Sequence, residues 1–168
     1  MQCVRRVASI LRERQLTNSV SADAGGIGGP MCAQLSGDFA IYTARVNNGS
    51  PARKKDEFAN ADAERWFAFR RLLEKREVIL PVDGEVLKQL SGRRLQYDAK
   101  ARIQLEPKES MRARGLSSPD RADAVIGAAV MCLPGFTGAI TRDTLAGMQF
   151  GRPQGHWVLF DLEPVTFD

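Results

Sequence analysis

The chain has a single histidine, His156. Ser-His-Asp hydrolysis and His-based metal centres therefore have little to build on. Its three cysteines, Cys3, Cys32 and Cys132, stand far apart, and no CxxC or Cys/His cluster is present. That excludes a zinc site by spacing and leaves free, buried thiols in a reducing compartment as the reading. No apolar run approaches the roughly 20 residues that cross a bilayer, so no membrane partner is expected. The opening "MQCVRRVASILRERQ" interleaves apolar residues with charge and is not a secretory signal. Its arginines leave a mitochondrial presequence as a rival, which Glu13 counts against. A nucleotide-binding loop is also missing. "GGIGG" fails the GxGxxG pattern because Met31 holds the sixth place counted from Gly26, and no GK[ST] ending occurs anywhere. An ATPase is excluded.

What is present fits one folded domain. The 168 residues are 43% hydrophobic and 26% charged. Apolar positions at helical spacing predict an amphipathic helix over 3–15, and "NSVSAD" reads as a short strand ending at an acid. "GGIGGP" reads as a loop, and "DFAIYTARV" as the next strand. Asn60 caps a long helix carrying Trp66, Phe69 and Leu73 on one face, "VILP" is short and apolar, and "DGEVLKQLSG" is a short helix closed by Gly92. "RRLQYDAKARIQLEP" alternates on both sides of a turn, which predicts a hairpin with one buried and one basic face. "KESMRARG" is a helical turn or two stopped by Gly115. The last clear helix covers 119–133, and "HWVLFDLEP" is a candidate strand beyond it. Strands alternating with helices make the chain α/β.

Charge is unevenly spread. The chain carries net +4, yet residues 88–121 alone hold nine basic residues against four acids, while 122–168 are net acidic. Such a stripe suits a polyanion, and it equally suits a solvated Arg-rich surface. Arg94 and Arg102 on the hairpin are expected to contribute salt-dependent contacts to a nucleic-acid backbone.

Two acids occupy unusual places. Asp23 ends a short strand before a glycine-rich turn, and open α/β folds bind ligands off the carboxyl ends of strands. Asp123 lies a turn inside an apolar helix, between Ala122 and Ala124, while Asp120 stands at the helix start where a carboxylate suits the dipole. A buried acid needs a cation or a metal. Carboxylates are hard ligands that suit magnesium or manganese, and paired ions can clamp both the attacking and leaving oxygens of a phosphodiester. Taken singly, each acid also has a plain structural role, as turn former or helix-end charge.

In order along residues 1–133, "ADAGGIGG", "VNNGSPA", "FANADAERWFAFRRLLEKREVILP" and "LKQLSGRRLQYDAKARIQLEPKESMRARGLSSPDRADAV" resemble the C-terminal nuclease domain of tailed-phage terminase large subunits. The resemblance implies an RNase H-like mixed sheet flanked by helices, with a β-hairpin. It also implies metal-dependent endonucleolytic cleavage of double-stranded DNA during genome packaging, using Mg2+ or Mn2+. By position, Asp23 matches the second acid of that family's cluster and Asp123 the last, with Asp120 beside it. Lys108, Arg112 and Arg114 match a basic stretch approaching the DNA backbone. The terminase small subunit or portal protein would be the packaging partner, and the bacterial cytoplasm the location. The family's first acidic strand has no counterpart before Asp23, and neither has the motor domain. The expectation is therefore a fold incomplete at its N-terminus, a partial nuclease domain over 1–133 and a tail of unplaced role over 134–168. The alternative is a remnant that binds DNA or a packaging partner without cutting.

Overall fold

In the computed structural model, residues 2–14, 19–80 and 83–130 are described, together with the backbone of 157–158. These form six helices and six strands. Helix α1 (Gln2–Glu13) is amphipathic: Val4 and Ala8 are buried while its arginines face outward. Its apolar stripe meets Leu35 of α2 (Gly28–Phe39), together with Ile41.

Helix α2 overturns the reading of "GGIGGP" as wholly loop. The turn Ala24–Ile27 gives way to helix at Gly28, and Pro30 sits in the first helical turn, where its missing N–H costs no intrahelical bond. The helix stops at Ala40, which takes the left-handed conformation (φ 51°) and donates its N–H to Leu35 O.

Strands β1 (Ser19–Asp23) and β2 (Tyr42–Val46) pair in parallel, with Asp23 opposite Val46. Parallel pairing requires a crossover, and α2 supplies it. Asn60 caps α3 (Ala61–Glu74), its side chain accepting from Ala63 N at 2.9 Å. Phe69 and Leu72 of α3 pack with Val78 of β3 (Val78–Ile79) and with Ile126, Ala129 and Val130 of α6 (Asp120–Val130), forming the main core. Asp83 caps α4 (Gly84–Gly92) by accepting from Glu85 N and Val86 N.

The expected hairpin forms. In β4 (Leu95–Tyr97) and β5 (Ile103–Leu105), Leu95 faces Leu105 and Tyr97 faces Ile103. Its apolar side is only half covered, however. Ile103 and Leu105 pack on Phe58 and Ala63, whereas Tyr97 remains 65% exposed. Helix α5 (Lys108–Ala113) follows and ends before Gly115, whose φ of 75° favours glycine. The last strand, β6 (Trp157–Val158), pairs in parallel with β3. Residues 131–156 and 159–168, which include Cys132, His156, the end of the helix expected over 119–133 and nearly all of the 134–168 tail, lie outside the described residues. Of the remaining cysteines, Cys32 is buried as expected, and Cys3 is exposed.

Candidate active site

The parallel pairing of β1 and β2 brings their carboxyl ends together, so Asp23 and the loop after Val46 share one edge of the molecule. Asp23 is fixed by its own turn: Oδ1 accepts from Gly25 N at 2.9 Å, and Oδ2 lies 3.5 Å from Asn48 Nδ2. Gly28 crosses over the strand end so closely that a Cβ there would lie 1.7 Å from Asp23 O. This close approach is the physical use of the glycine-rich stretch that otherwise resembles a phosphate loop.

Helix α6 delivers the other acids. Its start is set by α4 as well as by Pro119: the buried Gln89 accepts through Oε1 from Arg121 N at 3.0 Å and Ala122 N at 3.1 Å. Ser118 Oγ donates to Asp120 Oδ1 at 2.5 Å. Gly127 allows α6 to lie against β1, since a Cβ there would reach Ser21 Oγ at 3.2 Å. Asp123 is thereby turned toward Asp23's side of the sheet. Trp66 Nε1 donates to its Oδ1 at 3.1 Å, Lys108 Nζ stands 3.1 Å from its Oδ2, and Arg93 lies 3.7 Å from its Oδ1.

Asp23, Asp120, Asp123 and Lys108, all read from the sequence, line one pocket of about 280 Å³. The same pocket holds residues that sequence reasoning missed: Asp62, Arg65 and Asn48. Asp62 lies in the first turn of α3, where a carboxylate has an ordinary dipole role, and nothing local marks it as a pocket residue. Burial raises its pKa above the usual carboxylate range, against the pull of Arg93, 2.9 Å away. The Arg93 side chain is itself buried. It ties three elements together through Asp62, the Trp66 ring (5.2 Å to the centroid) and an Nε–H donated to Glu106 O at 3.2 Å. Burial works against the Lys108 ammonium, but the hydrogen bond and charge of Asp123, with Asp120 adding, outweigh it and raise its pKa.

The other basic residues read from the sequence lie elsewhere. Arg102 is paired with Asp98 at 2.6 Å, and Arg114 with the buried Glu106. Arg112 is exposed beside Glu109, and Arg94 is exposed on the hairpin.

Carboxylates from three elements, β1, α3 and α6, line this one pocket, and hard oxygen donors of that kind would suit a divalent ion. Lys108 already shows a cation seated there, its Nζ 3.1 Å from Asp123 and 3.6 Å from Asp120. Among the described residues, no three His, Cys, Asp or Glu side chains close around a single point. Water or substrate oxygens would have to complete the coordination of any ion held here.

No protein-family model matches the chain, and no curated protein matches it. Solved structures do. The nuclease domain of the large terminase subunit of bacterial virus Sf6 is similar over 73% of this chain and 69% of its own, at 18% identity and a TM-score of 0.59. A lysine-to-alanine variant of that domain, solved with manganese and beta-thujaplicinol, matches over the same shares at 17% identity and a TM-score of 0.59. The variant solved with calcium gives 18% and 0.58. The likeness is one of fold: this chain is a mixed α/β protein with the RNase H-like architecture of the large-terminase nuclease domain.

Proposed function

We propose that this chain is the nuclease part of a phage or prophage terminase large subunit. It cleaves double-stranded DNA endonucleolytically with Mg2+ or Mn2+ during genome packaging. The observation that carries the reading is the meeting of Asp23 from β1 and Asp123 from α6, far apart in sequence, at one pocket with Lys108. Asp23 and Asp123 would hold the metal, with Asp120 at the rim. Bound there, a divalent ion would supply an activated water and neutralise charge developing on the phosphate. Trp66 and Arg93 fix the direction of the Asp123 carboxylate. Lys108 brings positive charge to the place where the DNA backbone would arrive, and the exposed Arg94 and Arg112 extend it. The packaging partner would be the small subunit or portal protein, and the setting the bacterial cytoplasm.

Incubation of the purified chain with supercoiled plasmid tests this. Nicking should appear with manganese, vanish with EDTA and be lost in the Asp23→Ala, Asp123→Ala double variant. A folded chain that binds plasmid but leaves it intact under all conditions would overturn the enzyme reading in favour of a non-cleaving DNA-binding module.

A further inference from the structure

Among the described residues, three cations stand close to the acids of this pocket, and they are used differently. Arg93 is committed to Asp62 at 2.9 Å, and Lys108 to Asp123 at 3.1 Å. Arg65, which lines the pocket directly, forms no ion pair with any carboxylate among the described residues. Its hydrogen bonds all leave from one nitrogen: NH2 donates to Asn47 O at 3.2 Å and to Asn48 Oδ1 at 2.5 Å. Asn48 in turn reaches Asp23 Oδ2. A loop amide thus holds the guanidinium by one arm, beside the acids but not bonded to them. Burial lowers its pKa, and the charges of Asp62, Asp23 and Asp123 oppose that shift without cancelling it.

A planar fork with five N–H donors, anchored through one nitrogen, keeps its remaining donors for an anion with at least two oxygens. Anchoring before the ligand arrives removes much of the ordering cost of the contact. We propose that Arg65 is a phosphate-contacting residue, whose guanidinium takes a non-bridging oxygen of the duplex DNA backbone at this pocket. The proposal rests on the nuclease reading for its choice of ligand and adds a residue outside the acids and the Lys108–Arg114 basic stretch. Asn48 is its positioning partner, linking the contact to Asp23.

The test is binding of a fluorescent duplex in EDTA, where no cleavage occurs, over a series of NaCl concentrations. Arg65→Gln should lower the slope of log Kobs against log salt by about one, the release of one counterion. Arg65→Lys keeps the charge and should keep the slope while binding more weakly. Arg70→Gln, on the same helix but paired with Glu74 at 2.7 Å outside the pocket, should leave the slope unchanged. Thermal melting of each variant separates lost contact from lost fold. A folded Arg65→Gln protein with the wild-type slope overturns the proposal, as does a wild-type chain that binds no duplex at low salt. A wild-type chain that fails to nick with manganese, yet shows the Arg65 slope change, would sink the nuclease reading and leave the phosphate contact standing.

Discussion

Asp123 enters the pocket among nitrogens: an indole N–H and a guanidinium on one oxygen, an ammonium on the other. Asp23 enters the same pocket with a backbone N–H and a distant amide, and no ion pair among the described residues. The fold neutralises Asp123 in advance because α6 carries it to a side-chain site only 17% exposed, where an unpaired carboxylate would be costly. Asp23 stands at a strand end, where solvent and its turn suffice. The difference teaches that one pocket can combine a carboxylate that must exchange a protein cation for any other ligand with one that need not. Asp123's surroundings stabilise a buried charge, whereas Asp23's leave its carboxylate open to solvent.

Removing the cation behind Asp123 should break that asymmetry most severely. Arg93→Met leaves Asp62 and Asp123 facing each other without their shared guanidinium. Urea denaturation should report a loss of about 3–5 kcal/mol, the usual cost of orphaning a buried ion pair. On the other side, Gly28→Ala forces a Cβ into Asp23 O and must displace the strand end. A loss of about 1–3 kcal/mol is expected from overpacking, with Mn2+ affinity falling more than stability does. A smaller effect should follow from Asn60→Ala, which removes the cap of the helix bearing Asp62, Arg65 and Trp66. About 1 kcal/mol in denaturation is expected, with the pocket retained. Least affected should be the hairpin turn. Hydrogen bonds from the Arg102 side chain and backbone, and from Lys100 N, hold Asp98 below the ordinary carboxylate range. The unfolded chain therefore binds that proton more tightly. The stabilisation is whole above about pH 4 and disappears as pH falls through the lower folded value. Asp98→Asn should flatten this part of the acid stability curve and leave the pocket's behaviour unaltered.

The elements most legible in the sequence were those marked by local chemistry. Asn60 announces α3 because its side chain replaces a missing backbone partner, and Gly92 and Gly115 mark helix ends, while the Asp83 cap of α4 emerged only in the structure. Helix α2 was hidden because Gly28, Gly29 and Pro30 argue against helix individually, while packing of Cys32 and Leu35 decides for it. The hairpin alternation gave the pairing correctly, yet Leu95 and Tyr97 are exposed, since alternation reports the pleat and not what covers it. In the site, Asp23 and Asp123 stood out by position within their own elements. Asp62, Arg65 and Asn48 did not, because only the parallel β1–β2 pairing and the α3–α6 contact bring them together. Arg102 and Arg114, expected to approach a nucleic-acid backbone, are engaged with Asp98 and Glu106, which a count of charges cannot reveal.

The central claim is that Asp23 and Asp123, unequal as they are, hold one divalent ion together. Titration of Mn2+ by its free-ion spin resonance signal, with wild type, Asp23→Asn and Asp123→Asn, tests it most directly. The account predicts saturable binding by wild type that both single variants lose. Binding that survives Asp23→Asn unchanged, or no saturable binding by the folded wild-type chain, would contradict it.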